Sequence, residues 1–239
     1  GEWSRAKAAC EVIIGSGNFD IVSEGNFIAH FNSKNQSNSL FEVANNSSDN
    51  AGNLSLAFMY RTRDFITDKA IGSYGDVSAL ENTLDLYEDG DVRKEVLQYE
   101  VNNKGNTFLV NAFKYPDITN LANNIVLFRY EEVILNYAEA LYETGGDALT
   151  QLNMIATNRG ASAYTSVTKD DIMTERRKEL MFEGFRFDDL LRTGSDIEKI
   201  DVNQNFAATI PYGSYLMAWP IPRAELDANS NMVPNPGYQ

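Results

Sequence analysis

Apolar residues recur at spacings of three and four in several stretches of the chain, and these stretches define its predicted helices. Trp3, Ala6, Ala9, Cys10, Ile13 and Ile14 form the first, an amphipathic helix that Gly15-Ser16-Gly17 stops. Tyr130, Ile134, Tyr137, Ala138, Leu141 and Tyr142 form a second stripe, which predicts a helix from Arg129 to Glu143, with Ala138 and Ala140 small enough for close helix approach. Thr144-Gly145-Gly146 ends it, and Asp147 is placed to cap a third helix carrying Leu149, Leu152, Ile155 and Ala156. A short connection between two such helices implies an antiparallel pair of tetratricopeptide-like size, a unit that cannot bury its apolar faces alone. Thr168 followed by Asp171 is a capping-box variant that opens another helical stretch, and Gly184 divides that stretch or kinks it before Thr193-Gly194.

Between Phe19 and Phe128 the helical period is lost, and Asn, Ser, Gly and Asp punctuate short apolar runs. Ser39 to Ala44 alternates like a short strand, Asn45 to Asn53 is a polar loop, and Ala79 to Leu86 reads as a short helix. Leu97 to Tyr115 predicts a two-stranded ribbon turning at Asn102-Asn103-Lys104-Gly105-Asn106. From Ser195 onward, Pro211, Pro220, Pro222, Pro234 and Pro236 forbid a continuous helix, so an irregular tail is expected to wrap across the helices. The fold class that follows is predominantly α, with an irregular, loop-rich region carrying short strands. The order along the chain is a helix at 1–16, the loop region at 17–128, helical repeats at 129–194 and the tail at 195–239.

Composition narrows the partners. The 34 acidic against 20 basic residues give a net charge of −14, which argues against nucleic acid and anionic membranes, since both need clustered Lys and Arg. The single cysteine, Cys10, excludes an internal disulfide and a cysteine-rich zinc site. It is a poor lipidation site, because Arg5, Ala6, Lys7, Ala8 and Ala9 precede it without an apolar core, and it reads as a buried helix thiol. No run of 18 apolar residues exists to span a bilayer as a helix. Walker, Rossmann, GxSxG and zinc-ligand patterns are missing from the sequence, so no cofactor and no metal are expected. His30, the only histidine, reads as a surface or half-buried residue, and Tyr87-Glu88-Asp89-Gly90-Asp91 as a solvated acidic turn in preference to a calcium loop.

The densest chemistry lies between Thr174 and Gly194. Arg176, Glu179, Glu183 and Arg186 stand at i, i+3, i+7 and i+10, while Leu180, Met181, Phe182, Phe185, Phe187, Leu190 and Leu191 interleave with them. So many large apolar neighbours imply that the charges are partly buried, and buried charges persist only when paired. The favoured reading is a structural ion-pair lattice, with Glu183→Ala costing about 3 to 5 kcal/mol. The rival is a glycoside hydrolase with Glu179 and Glu183 as its paired carboxylates, but arginines nearby lower a carboxyl pKa where a general acid needs it raised. The aromatic content, 12 Tyr, 13 Phe and 2 Trp, suits sugar stacking. Aromatic and planar polar groups alternate in Phe58 to Asp64 and at Tyr74, making Tyr60, Arg61, Arg63 and Tyr74 the candidate ligand residues.

The stretch Glu175 to Gly194, ERRKELMFEGFRFDDLLRTG, strongly resembles the late signature of the SusD/RagB family of surface nutrient-binding lipoproteins. Arg129 to Ala140, Leu152 to Gly160, and Pro220 to Leu226 with Asn235-Pro236-Gly237-Tyr238 are similar, in order, to its other landmarks, as are Asp91-Val92-Arg93 and Lys114-Tyr115. The resemblance is to the family's later part. It implies an N-terminal portion upstream that carries the export signal, a lipid anchor and the helical mate of the first helix. It further implies non-catalytic capture of oligosaccharides or other nutrients at the outer-membrane surface for a SusC-type TonB-dependent transporter. A helical-repeat interaction scaffold is the third reading.

Overall fold

The computed structural model describes residues 1–62, 75, 77–102 and 104–238. They fall into two compact units, Gly1–Glu183 and Gly184–Gln239, so the final helix of the signature stretch belongs to the second.

Helix predominates in the first unit. Helix α1 (Trp3–Gly15) places Cys10 in the core and packs on α4 (Tyr130–Thr144), so the first helix finds a partner far downstream in the chain. The start of α4 is marked by Glu131 and Glu132, acids that favour the positive end of a helix dipole. Its end is a left-handed Gly145, with the Gly146 amide donating to Leu141 O, so the last carbonyls are satisfied. Asp147 then accepts from the Thr150 amide and opens α5 (Ala148–Asn158). Ile134, Leu135, Leu152, Ile155 and Ile172 are fully buried where α4, α5 and α6 (Lys169–Glu179) meet. Thr168 and Asp171 form the reciprocal capping box that their spacing predicts.

The helix breaks earlier than Gly184. It ends at Glu179, and Phe182 and Gly184 both take positive φ, 65° and 90°. The stripe through Arg176, Glu179, Glu183 and Arg186 therefore does not exist as one helix face. Glu183 lies in the turn, and Arg186 lies on α7 (Phe185–Thr193) of the second unit.

The loop region contains short α2 (Phe27–His30) and α3 (Leu56–Tyr60). Strand β1 (Ser39–Val43) pairs antiparallel with β4 (Ile125–Arg129), Phe41 opposite Phe128. Strand β4 carries no alternating pattern and is identified only by this distant partner. It also explains why the helix begins at Tyr130: Arg129 is the last strand residue. Strands β2 (Leu97–Val101) and β3 (Thr107–Asn111) form the predicted ribbon. Where Ala79 to Leu86 reads as a helix, the structure has a 3₁₀ helix at Glu81–Leu86 with Ala79 bridged to Leu109. The second unit adds an Ile197–Ile210 bridge and α8 (Arg223–Ala228), which starts directly after Pro222.

Candidate functional site

At the centre of the first unit the charges brought together by α4, α5, α6 and the loop region form one buried network. Arg129 donates to Glu179 Oε1 at 2.8 Å and Glu183 Oε2 at 2.7 Å, and pairs with Glu131 at 3.1 Å. Arg159 reaches Glu131 and Glu179, each at 3.0 Å, and Val22 O at 2.6 Å. Arg93 holds Asp91 bidentately at 2.7 and 2.8 Å and Glu175 at 2.5 Å, and touches Glu179 at 3.3 Å. Lys114 donates to Glu183 and, at 2.8 Å, to Glu179 O. Four cations thus meet five carboxylates, with Glu179 as the hub. Burial alone would raise the Glu179 carboxyl, but Arg159, Arg129 and Arg93 hold it well below the usual carboxylate range. Glu183, likewise buried, is held low by Arg129 and Lys114. A pair held deprotonated in this way has no proton to give a glycosidic oxygen, so these two carboxylates do not supply hydrolase chemistry.

The partners of Glu179 and Glu183 are not those the sequence spacing suggests. They come from β4, the residue that caps the end of α5 and the loop region, while Arg176 donates to Asn136 at 2.6 Å. Asp91 departs furthest from expectation. It is not in a solvated turn but 3% exposed and clamped on Arg93, whereas Asp89 is fully open to solvent beside Lys94. Composition offers no signal for Arg93, Lys114, Arg129 and Arg159, because a single charge beside an apolar run looks like any surface charge. Each does lie inside a segment carrying the family resemblance.

Tyr60 packs its ring 5.0 Å from Phe182 and 5.6 Å from Tyr115 and donates its hydroxyl to Phe182 O at 3.0 Å. Arg61 is ion-paired with Glu100. Their polar ends are thus engaged within the protein. Arg63 and Tyr74 lie outside the described residues.

Beside Tyr115 and above the network opens a cavity of about 100 Å³, and the residues around it come from α2, the loop after it, β1 and the 114–126 segment. Its floor is Lys114, Arg129 and Glu183, one wall is aromatic (His30, Phe31, Tyr115), and its rim carries the amides of Asn32, Gln36, Asn123 and Asn124. At roughly 10–15 Å³ per water-sized group it has room for several such groups. A shallower cleft of about 490 Å³, edged by Ser23, Asn26 and Ser37, shares His30, Ser33 and Gln36 with it. Aromatic faces with side-chain amides around them are the chemistry of polyhydroxylated ligands.

His30 forms the joint between cavity and cleft. Its Nδ1–H donates to Phe27 O, and its ring lies 3.8 Å from that of Phe31. Burial, aided by Arg129 and Arg159, lowers its pKa from 6.5 to about 4, although the Phe27 bond and Glu131 oppose this. As pH falls from 6.5 toward 4, the unfolded chain therefore takes up a proton that the native imidazole refuses, and stability drops by up to roughly 3 kcal/mol. His30→Gln is expected to flatten the unfolding free energy over that window in urea melts. Parallel pH profiles for the two proteins would show that His30 is not the source.

The model of the SusD family matches residues 24–238. The chain belongs to the SusD family. Among its SusD relatives, starch-binding protein SusD of Bacteroides thetaiotaomicron is 31% identical over 129 residues, 52% of this chain and 22% of that protein. A SusD superfamily crystal structure from the same species is 30% identical with a TM-score of 0.84, covering 99% of this chain and 57% of that one. Surface glycan-binding protein A from Bacteroides fluxus gives 25% and 0.78, covering 99% and 59%. The chain thus spans little more than half the length of these solved SusD relatives. Its helical character, with small two-stranded sheets, is that of the SusD superfamily.

Proposed function

We propose that this SusD-family chain contributes to the capture of extracellular oligosaccharides, without transforming them, for delivery to a SusC-type TonB-dependent transporter at the outer-membrane surface. The observation that carries this reading is the cavity: an aromatic wall and a rim of amides stand over a floor whose charges are held in ion pairs. Such a site offers stacking and hydrogen bonds but no group poised for proton transfer. The names of the SusD relatives, starch-binding and glycan-binding, support the ligand class. The surface location and the transporter rest on the family resemblance. Among the described residues, no helix is long and apolar enough to cross a membrane.

Calorimetric titration with maltoheptaose and laminarihexaose, one α-linked and one β-linked glucan, followed by product analysis of the same samples, tests the proposal. Saturable heat with the oligosaccharide recovered intact is the expected result. Shortened products would replace capture with hydrolysis.

A further inference from the structure

The cavity is surrounded by charged side chains, yet each has its partner inside the protein. Lys114 and Arg129 are spent on Glu179 and Glu183. Lys34 donates to Asn45 O at 2.5 Å. Glu42 accepts from the Asn35 amide at 3.0 Å and from Asn124 Nδ2 at 2.6 Å. Asp117 accepts from the amides of Thr119, Asn120 and Ala122 at 3.1, 2.8 and 3.3 Å. Two amides are half used. Gln36 donates Nε2 to Lys34 O at 3.0 Å, and Asn123 Oδ1 accepts from the Asp117 amide at 2.8 Å. Among the described residues, Gln36 Oε1 and Asn123 Nδ2 have no protein partner.

The Asn32 side-chain amide and the Ser33 hydroxyl, which line the same cavity, likewise have no partner among the described residues, so both acceptors and donors remain on offer beside the aromatic side chains. A hydroxyl can use both kinds of group, donating to Gln36 Oε1 and accepting from Asn123 Nδ2, whereas a carboxylate or sulfate, which only accepts, leaves the acceptors unpaired. An anion would also enter among Glu42, Asp117 and Glu183 with the buried cations Lys114 and Arg129 already paired with carboxylates, and would approach a chain of net charge −14. We infer that the cavity takes one uncharged sugar unit and rejects acidic ones, with Gln36 and Asn123 reading its hydroxyls. This rests on the capture reading above and names the ligand class within it.

The test is calorimetric titration of four probes: maltoheptaose and laminarihexaose as neutral oligomers, a galacturonate hexamer and a hyaluronan hexasaccharide as acidic ones. Each is run against the parent protein, Gln36→Met and Asn123→Asp. Asn123→Asp keeps an oxygen for the Asp117 amide while replacing the donor with a charged acceptor, and equal melting temperatures would show that the loop survives. At least one neutral probe is expected to bind at least tenfold more tightly than both acidic ones and to weaken about tenfold in each variant, the loss of one hydrogen bond. An acidic hexamer binding as tightly as the better neutral probe, or neutral binding unchanged in both variants, would overturn the inference and leave capture standing. Silence from all four probes would overturn the capture reading and this inference with it.

Discussion

Replacing Glu179 with alanine is expected to lower the stability of the folded protein by about 3–5 kcal/mol, because it leaves three arginines in the interior without their shared counter-ion. Glu179 is 0% exposed and accepts from the guanidinium groups of Arg93, Arg129 and Arg159. Arg93 and Arg159 are themselves 1% and 0% exposed, so neither can swing into water to recover its hydration. Asp91 and Glu175 still hold Arg93, and Glu131 and Glu183 still hold Arg129, which is why the loss stops short of the full cost of burying bare charges. Against a typical stability of about 5–15 kcal/mol, the variant would stand near the limit of folding. Urea melts at neutral pH with an unchanged m-value would read the loss directly. A shift under about 1 kcal/mol would mean that the network relaxes around the gap.

The network also shows why only part of this protein was legible in its sequence. Helices α1, α4, α5 and α6 announce themselves because their caps and apolar stripes are local: Asp147, Thr168 and Asp171 act within three residues of where they stand. Burial of Arg176, Glu179 and Glu183 was also legible, from the crowd of large apolar residues around them, whereas Arg186, expected to be buried with them, is exposed. Which cations would face the two carboxylates was not legible, because Arg93 and Glu179 meet across 86 residues of chain, and no periodicity encodes a contact of that kind. Strand β4 was hidden for the same reason, since Ile125 to Phe128 is apolar at every position and takes its identity from Phe41 and Val43 across the sheet. The cavity is a further step removed. Gln36 and Asn123 are ordinary loop amides in the sequence and become a donor and acceptor pair only when two distant loops are folded over Lys114.

Replacing Glu183 with alanine is expected to cost a similar amount, about 3–5 kcal/mol, but for a reason that a second substitution can separate. Glu183 is the carboxylate partner of Lys114, which is also bonded to Glu179 O and lies 5.5 Å from the Phe31 ring. Without Glu183, burial and the neighbouring Arg129 lower the Lys114 pKa against Glu179 alone, so that the ammonium is driven to release its proton or to draw water into the cavity floor. Adding Lys114→Met removes that orphaned charge and replaces it with a flexible apolar side chain of similar length. If most of the penalty comes from the stranded cation and not from the ion pair itself, the double variant regains about half of the loss or more, and the double-mutant cycle shows strong coupling. Arg129 limits the recovery, because its Nε–H and one Nη2 bond also end on Glu183. Denaturant melts of the two single variants and the double variant decide the matter: additive losses would show that Lys114 and Glu183 contribute separately, and that the cavity floor is held by Arg129 alone.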